Sequence, residues 1–259
     1  MKISIITITY NSASCLPDTI SSIRSQSYPD LEFIVVDGGS TDGTLDIIES
    51  NADIISNWVS EPDNGISDAF NKGIRMATGD VIGIINSDDM LAANALFTIN
   101  ERIEDDTDVF YGNVENFGDD IDKTYVTKPG ELSGLYVSMT LIHPAVFVRK
   151  SAYDKYGVFN LDYKCCMDRD LLLRMYSNGA KFQYVDETLA RYRHGGINQK
   201  TYVTTTVVEG EKISIEYGMS KPKAKLITAK KRLRFTLRSK VLNTSIGRKL
   251  RARKYRDQA

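Results

Sequence analysis

Most of the residues that could do chemistry lie in four short polar clusters, each following an apolar run. The clusters are TYN at 9–11, DGG at 37–39, EPDN at 61–64 and NSDD at 86–89. Asp88 and Asp89 are adjacent carboxylates, hard oxygen ligands of the kind that hold Mg²⁺ or Mn²⁺. A metal held there would bridge a diphosphate. An Asx-rich turn that caps a following helix, predicted over 92–103, accounts for the same residues without a metal.

Three other candidates lie later in the chain. Asp168, in MDRD, opens a predicted helix, where a carboxylate commonly serves as a cap. His194 stands in RYRHGG beside two glycines, which is typical of a solvated loop histidine. His143 precedes Pro144 at the start of a predicted strand, and we interpret it as structural or acceptor-facing.

The glycines exclude two common nucleotide-binding motifs. Gly38, Gly39 and Gly43 do not have the G-x-G-x-x-G spacing of a dinucleotide-binding turn, and the chain contains no G-x-x-x-x-G-K-[ST] loop. A nicotinamide enzyme and a P-loop nucleotidase therefore both lose their main support.

The elements that would position the clusters follow from the periodicity of the first 115 residues. Short β-rich runs alternate with helical patterns, which indicates parallel βαβ units. Strands are predicted at 3–9, 31–36, 54–59, 81–85 and 109–111, with later strands at 143–148 and 182–185. Because ligands collect beyond the carboxyl ends of parallel strands, the four polar clusters should meet at one edge of the sheet.

One predicted helix carries both a buried and a polar face. Its apolar positions recur with helical spacing, and the polar positions share the opposite side. The apolar set is Ile66, Ala69, Phe70, Gly73, Ile74 and Ala77, and the polar set is Asp68, Asn71, Lys72 and Arg75.

Composition indicates a folded chain with an uneven charge distribution. The 259 residues carry a net charge of -1, with 42% hydrophobic and 26% charged residues, which favours neither a largely disordered nor a membrane-embedded chain. No apolar run approaches a membrane span, and three cysteines indicate neither a disulfide framework nor a zinc site. However, 15 of the 33 Lys and Arg, but one of the 34 Asp and Glu, follow Gly218. Such a basic tail attracts phosphates of lipids or nucleic acids.

Four segments together resemble family 2 glycosyltransferases with the GT-A fold, particularly bacterial O-antigen and exopolysaccharide transferases. They are ITITYN, IVVDGGSTDGT, EPDNGISDAFNKGIRMATGDVIGIINSDD and MDRDLLLR, and the resemblance spans about residues 1–195. It implies an α/β, Rossmann-like, mostly parallel sheet flanked by helices. We expect a domain at 1–203, with a nucleotide-sugar half at 1–115 and an acceptor half at 116–203, and a basic helical extension at 204–259.

The resemblance also implies roles for individual residues at the donor site. Thr9 and Tyr10 would line the nucleoside pocket, and Asp37 would accept a hydrogen bond from the base. Asp68 and Lys72 would lie near the ribose and diphosphate. Asn11 and Ser87, in the same strand-end loops, complete the expected donor-binding set.

The metal site and the base are implied in the same way, with two departures from the family pattern. Asp88 matches the metal-binding aspartate of the D-x-D element, but Asn86 replaces its first aspartate. Asp168 matches the catalytic base of a Glu-Asp pair whose glutamate is here Met167, and Asp170 is the rival candidate. Some related enzymes take a third metal ligand from a late histidine, which makes His194 a candidate.

The implied activity is inverting, non-processive transfer of a sugar from a nucleotide sugar, with a UDP-sugar favoured, using Mn²⁺ or Mg²⁺. A processive synthase is disfavoured because membrane spans and a Q-x-x-R-W signature are absent. We expect a polyprenyl-diphosphate-linked glycan acceptor in O-antigen-like polysaccharide synthesis, and a cytoplasmic enzyme peripheral on the inner membrane face.

Two alternatives concern the tail and the activity. The basic tail at 221–256 is expected to dock on an anionic membrane, and the alternative is a tail folded back onto its own acidic domain. Nucleic acid is a disfavoured partner, because the tail has few aromatics for base stacking. A catalytically silent nucleotide-binding module with a basic tail remains the alternative to an enzyme.

Overall fold

A computed structural model describes residues 1–118, 123–194 and 199–242 of the chain. Its strands are β1 (Ile3–Thr9), β2 (Leu31–Asp37), β3 (Asn57–Ser60), β4 (Val81–Ile84), β5 (Met90–Leu91), β6 (Val109–Phe117), β7 (Tyr125–Thr127), β8 (Val146–Arg149) and β9 (Phe182–Arg193). Its helices are α1 (Leu16–Arg24), α2 (Thr44–Ser50), α3 (Ile66–Met76), α4 (Ala95–Arg102), α5 (Lys150–Tyr156), α6 (Met167–Ser177), α7 (Gln199–Glu216) and α8 (Lys221–Leu242). None of these helices is long and apolar enough to cross a bilayer.

The nine strands form one sheet in the order β3-β2-β1-β4-β8-β6-β9-β5, with β7 paired to β6. The first four strands along this order are parallel neighbours. β8 is antiparallel to both β4 and β6, and β6 is parallel to β9, so six of the nine strands share one direction. The carboxyl ends of β1 to β4, β6 and β9 therefore lie at the same edge, as expected for the predicted fold.

Helices cover both faces of the sheet, and each face has its own apolar core. α3 and α6 contribute to the core on one face, and α1 and α4 contribute to the core on the other. Gly73 lets α3 lie directly on β1, because a Cβ atom there would be 2.4 Å from a methyl carbon of Ile6. The sandwich of helices around the sheet confirms the predicted α/β class.

Several elements differ from the predicted bounds, and the reasons are non-local. β6 and β9 extend well beyond the predicted runs because they pair along most of their length. The predicted strand at 143–148 begins as a 3₁₀ turn through Pro144, which has no N–H for a ladder. The predicted start of β3 is wrong, because Ile54 and Ile55 donate back to the Asn51 carbonyl and close the turn after α2.

The two faces of α3 also differ from the prediction. Ile66 is 48% exposed, although its spacing placed it on the buried stripe. Asn71 is buried on the predicted polar face, where its amide donates to the Phe159 carbonyl at 2.8 Å and accepts from the Phe159 N–H at 2.9 Å. This reciprocal pair joins α3 to the segment that leads into α6.

The helical extension is continuous with the domain. α7 begins before the expected boundary after residue 203 and buries Ile213 in the core beside α6. α8 packs on α7 and buries Ala224 and Thr228, while Leu226 and Leu233 on its other side are more than half exposed. Residues 119–122, 195–198 and 243–259, which include the last part of the predicted basic tail from 243 to 256, lie outside the described residues.

Candidate functional site

The Asp37 carboxylate organises the turn after β2. Its Oδ2 accepts from the backbone N–H groups of Gly39 at 3.0 Å and Ser40 at 2.9 Å, and from the Ser60 hydroxyl at 2.6 Å. Its Oδ1 accepts from the Ser40 hydroxyl. The side chain is fully buried, and three of its four hydrogen bonds fall on Oδ2. Oδ1, with one partner, has the remaining acceptor capacity. The hydrogen bond from a base that the family resemblance implies for Asp37 stays a prediction.

The loop after β1 joins this turn through Asn11. The Asn11 Oδ1 accepts from the Thr41 N–H at 2.9 Å, and its own N–H donates to the Ser40 hydroxyl at 2.8 Å. Thr9 is buried, and its hydroxyl has no hydrogen-bond partner among the described residues. Tyr10 is 62% exposed. The structure therefore gives Asn11 a bridging role and leaves the Tyr10 ring accessible to a ligand.

The backbone at Gly38 lies close to Asp63 and to the Tyr10 ring. A Cβ atom at Gly38 would be 2.8 Å from Asp63 Oδ2 and 3.4 Å from the Tyr10 ring, so this position has no room for a side chain. Asp63 Oδ1 accepts from the Gly65 N–H at 2.8 Å. Asp63 was not among the predicted site residues, although it belongs to EPDN, one of the four polar clusters. The structure therefore brings the loops after β1, β2 and β3 together at this point.

Asp68 and Lys72 meet at the start of α3, as their spacing on one helix face requires. Lys72 Nζ is 2.8 Å from Glu61 Oε1, 3.1 Å from the Pro62 carbonyl and 3.7 Å from Asp68 Oδ2. The hydrogen bond to Glu61 raises the pKa of Lys72. A hydrogen bond from the Asn64 N–H lowers the pKa of Asp68, and the positive charge of Lys72 lowers it further. The lysine therefore stays charged at the strand-end edge, where a diphosphate would need a cation.

The NSDD loop is fixed from α1. The Thr19 hydroxyl donates to the carbonyls of Ser87 at 2.9 Å and Asp89 at 2.7 Å, and the Ser87 hydroxyl donates to the Ser12 hydroxyl at 2.9 Å. Ser87 is buried, and these contacts place it in the support of the loop. The structure therefore brings Ser87 next to the loop after β1, which carries Tyr10 and Asn11.

The two adjacent aspartates of this loop have different environments. Asp89 is fully buried and accepts from the Arg193 N–H at 3.0 Å, and burial together with Asp88 raises its pKa to about 8. Asp88 is partly exposed, and burial raises its pKa as well. The Arg193 guanidinium donates to the Asp88 carbonyl at 3.2 Å and pairs with Asp18 at 2.6 Å. Asp88 is thus the accessible carboxylate, beside an arginine that the sequence analysis missed.

A divalent cation could bind at Asp88 only if other groups complete its coordination shell. Across residues 1–118, 123–194 and 199–242, no three or more His, Cys, Asp or Glu side chains are grouped to hold a metal. Asp88 supplies a carboxylate oxygen of the right chemistry. Mg²⁺ typically takes one or two carboxylates and completes its ligands with water and substrate phosphates, which is compatible with Asp88.

His194 lies at the end of β9, next to Arg193 and hence beside the NSDD loop. Its Nε2 is 2.9 Å from Asn116 Oδ1 and 3.5 Å from the Tyr125 hydroxyl, and its N–H donates to the Phe117 carbonyl at 2.7 Å. The ring is therefore oriented by β6 and β7. A metal would have to use the other ring nitrogen, Nδ1, or displace the contact with Asn116.

Asp168 stands in the first turn of α6, and its surroundings differ from those of Asp170. Asp168 is partly exposed, its Oδ1 accepts from the Arg169 N–H at 2.7 Å, and burial raises its pKa to about 6. Asp170 is buried, lies 3.8 Å from the Arg174 guanidinium and accepts from the Tyr217 hydroxyl at 3.4 Å. Asp168 is therefore the carboxylate with free acceptor capacity, and Asp170 is engaged in packing α6 against the helices around it.

His143 lies within an aromatic cluster. Its ring stacks on Phe70 at 5.3 Å between centroids and meets Phe159 edge-on at 5.9 Å. Burial lowers its pKa to about 4, so it is neutral at physiological pH. This favours the structural interpretation of His143.

Known proteins resemble this chain in sequence and in fold. Residues 4–173 match the sequence profile of glycosyl transferase family 2. A PGL/p-HBAD biosynthesis glycosyltransferase of Mycobacterium bovis (strain BCG / Pasteur 1173P2) is 31% identical over 226 residues, which cover 83% of this chain and 86% of the relative. The match covers most of both chains, and it extends beyond the residues of the profile.

Two solved structures share the fold at low sequence identity. TarS 1-349 of S. aureus, in complex with UDP-GlcNAc, aligns with a TM-score of 0.62 and 19% identity, over 89% of this chain and 71% of that fragment. The mannosyltransferase PcManGT of Pyrobaculum calidifontis, in complex with GDP-Man and Mn²⁺, aligns with a TM-score of 0.63 and 19% identity, over 88% of this chain and 68% of that one. Together with the profile match and the named relative, they favour an enzyme over a silent binding module. The chain belongs to glycosyl transferase family 2, and it is a glycosyltransferase with the GT-A fold.

Proposed function

We propose that this enzyme is an inverting, metal-dependent, non-processive transferase that moves one sugar per encounter from a nucleotide sugar to a glycan hydroxyl. The observation that carries the proposal is Asp168, a partly exposed carboxylate whose pKa of about 6 lets it accept a proton near neutral pH. One base is sufficient for an in-line displacement with inversion, whereas glycoside hydrolysis uses two flanking carboxylates.

The chain's own residues divide the work of the reaction. The exposed Tyr10 ring receives the nucleoside, and Lys72 and Arg193 place positive charge beside the diphosphate. Asp168 takes the acceptor proton as the hydroxyl attacks the anomeric carbon and the nucleoside diphosphate leaves from the opposite face. Mn²⁺ or Mg²⁺ at Asp88, when bound, would supply electrostatic stabilisation of the leaving diphosphate.

The donor class is supported by the structural neighbours, one described in complex with UDP-GlcNAc and another with GDP-Man and Mn²⁺. A UDP-sugar is the first candidate donor. A panel of UDP- and GDP-sugars, assayed for nucleoside diphosphate release with Mn²⁺, with Mg²⁺ and with chelator, tests both donor and metal. Turnover that is equal with chelator and with metal would remove the metal from the mechanism.

The acceptor proposed is a polyprenyl-diphosphate-linked glycan of a cell-surface, O-antigen-like polysaccharide, reached from the cytoplasmic membrane face. Support comes from α8. Its inner side packs on the domain, and Lys231 Nζ donates to the Val137 carbonyl at 2.7 Å. Its outer side exposes Leu226 and Leu233 among lysines and arginines, the pattern of a helix that lies in a membrane interface.

Vesicle co-sedimentation of the full chain tests the membrane surface. We expect binding to anionic vesicles and weak binding to neutral ones, because basic residues each contribute about 1 kcal/mol near an anionic surface. Replacing Leu226 and Leu233 with serine should reduce binding. Replacing the exposed leucine Leu161, which lies outside α8, is the matched control. Equal pelleting of all three proteins would exclude Leu226 and Leu233 as part of the anchor.

A further inference from the structure

The segment that carries Asp168 is held along its length by α7. Five residues of α7, and Tyr217 directly after it, contact residues between Tyr163 and Asp170. The Thr206 carbonyl accepts from Cys166 Sγ, and Glu209 accepts from three backbone N–H groups. The Gly210 carbonyl and the Ser214 hydroxyl accept from the Arg169 side chain. Glu216 accepts from the Tyr163 hydroxyl, and the Tyr217 hydroxyl donates to Asp170. The helix that the sequence placed largely in an extension therefore supports the start of α6.

Glu209 makes the most direct of these contacts with the backbone. Its Oε1 accepts from the Lys164 N–H, and its Oε2 accepts from the N–H groups of Cys165 and Cys166, each at 2.9 Å. Cys166 is the N-cap residue of α6, and its own side chain makes no capping hydrogen bond. Consecutive N–H groups that converge on one point form a site for an anion, and bonds to a carboxylate are among the stronger hydrogen bonds.

Arg169 fixes the other side of the same turn. Its buried guanidinium donates to the Leu135 carbonyl at 2.7 Å, the Gly210 carbonyl at 2.9 Å and the Ser214 hydroxyl at 2.8 Å. A Cβ atom at Gly210 would be only 3.2 Å from this guanidinium. Asp168 thus lies between two anchored neighbours, the backbone of 164–166 on one side and the Arg169 side chain on the other.

We propose that Glu209 is a positioning residue for sugar transfer: from α7 it clamps the backbone of residues 164–166 and so sets the direction in which Asp168 meets the acceptor. The inference rests on the proposed role of Asp168 as base. Met167 replaces the family's glutamate next to this aspartate. In this chain a carboxylate distant in sequence, Glu209, anchors the turn.

Amide hydrogen exchange tests the clamp without reference to activity. In Glu209→Ala, the amides of residues 164–166 should exchange about tenfold faster or more, because each loses its acceptor, while β1 amides remain unchanged. Glu209→Gln keeps the shape and one acceptor oxygen, so its effect should be intermediate. Glu211→Gln is the matched control, because Glu211 makes no hydrogen bond to residues 163–170 among the described contacts. Unchanged exchange at 164–166 would overturn the clamp.

Kinetics of nucleoside diphosphate release test the consequence. A misplaced base should lower kcat about 10- to 100-fold in Glu209→Ala and less in Glu209→Gln, with the donor KM within about twofold, since the donor binds at other loops. A purely structural role predicts normal kcat well below the unfolding temperature. A kcat equal to that of Glu211→Gln would overturn the positioning role.

The Asp168→Asn variant, run in parallel, separates the two levels of the proposal. If it is inactive while Glu209→Ala is fully active, only the positioning role fails. If Asp168→Asn keeps wild-type activity, the assignment of the base fails, and the exchange data alone then report whether Glu209 clamps the turn.

Discussion

The turn after β2 and the first turn of α6 each present one aspartate, and the two carboxylates have opposite environments. Asp37 is buried, with four hydrogen bonds from the protein around it. Asp168 is partly exposed, accepts from one neighbouring N–H, and has its pKa raised by burial to about 6. A buried carboxylate with four hydrogen bonds from the protein organises the chain, whereas a partly exposed one with a raised pKa can accept a proton.

Sequence alone did not distinguish these two aspartates. Both matched a family motif, and both were assigned a direct contact with substrate. The difference arises because the partners of Asp37 include Ser60, 23 residues further along the chain. The same isosteric change, aspartate to asparagine, should therefore have different consequences at the two positions.

The largest expected effect is loss of activity in Asp168→Asn. Removal of a general base costs about 10² to 10⁴ in rate, and the amide preserves the shape of the side chain. Donor affinity, measured by calorimetry with the nucleoside diphosphate, should stay nearly unchanged. Activity within about threefold of wild type would refute the assignment and would promote Asp170 as the base.

Asp170→Asn supplies the matched control on the same helix. Asp170 pairs with Arg174 and accepts from the Tyr217 hydroxyl, so its replacement should weaken the packing of α6 with little effect on kcat. Asp168→Asn and Asp170→Asn together separate a chemical role from a structural one.

The next effect is on stability, in Asp37→Asn. The amide retains one acceptor oxygen but loses the charge that strengthens the bonds from Gly39, Ser40 and Ser60. We expect the free energy of unfolding to fall by about 2 kcal/mol, measured by urea denaturation. Asp30→Asn is the control, at an exposed carboxylate directly before the same strand, β2. A fully stable Asp37→Asn protein that no longer binds donor would instead support the direct base contact first expected.

These contrasts show which parts of the molecule were predictable. The first strand matches its predicted bounds, Ile3–Thr9, because an apolar run beside polar residues is a local signal. The long pairing of β6 with β9, the burial of Asn71 and the contacts of Glu209 depend on partners far along the chain. Residue types indicated where the site lies, but which carboxylate is satisfied depended on the tertiary structure.

A third expected effect concerns the pH dependence of transfer. Asp168 must be ionised to accept a proton, and its pKa is about 6, so kcat should fall about tenfold per pH unit below pH 6 and level off above pH 7. The measurement is a pH–rate profile at saturating donor, with unfolding monitored separately. A profile that stays flat down to pH 5 would contradict proton transfer to this carboxylate.

The smallest expected effect is a gain in stability of Asp168→Asn. The folded pKa of Asp168, about 6, exceeds its ordinary value of 3.8, so folding disfavours the ionised form. This cost is absent below about pH 4, develops between pH 4 and 6, and is complete above pH 6. Asparagine avoids this cost, so the variant should be more stable than wild type at pH 8 and equally stable near pH 3.5. The expected gain at pH 8 is on the order of 1 kcal/mol, because partial exposure of the carboxylate reduces the cost. Asp37→Asn should show no such gain, since the Asp37 carboxylate accepts four hydrogen bonds from the protein. Urea denaturation of wild type and both variants at the two pH values measures these differences. A loss of stability in Asp168→Asn at pH 8 would contradict the prediction, because it would mean that the protein stabilises the ionised Asp168 carboxylate by hydrogen bonds, as it does for Asp37.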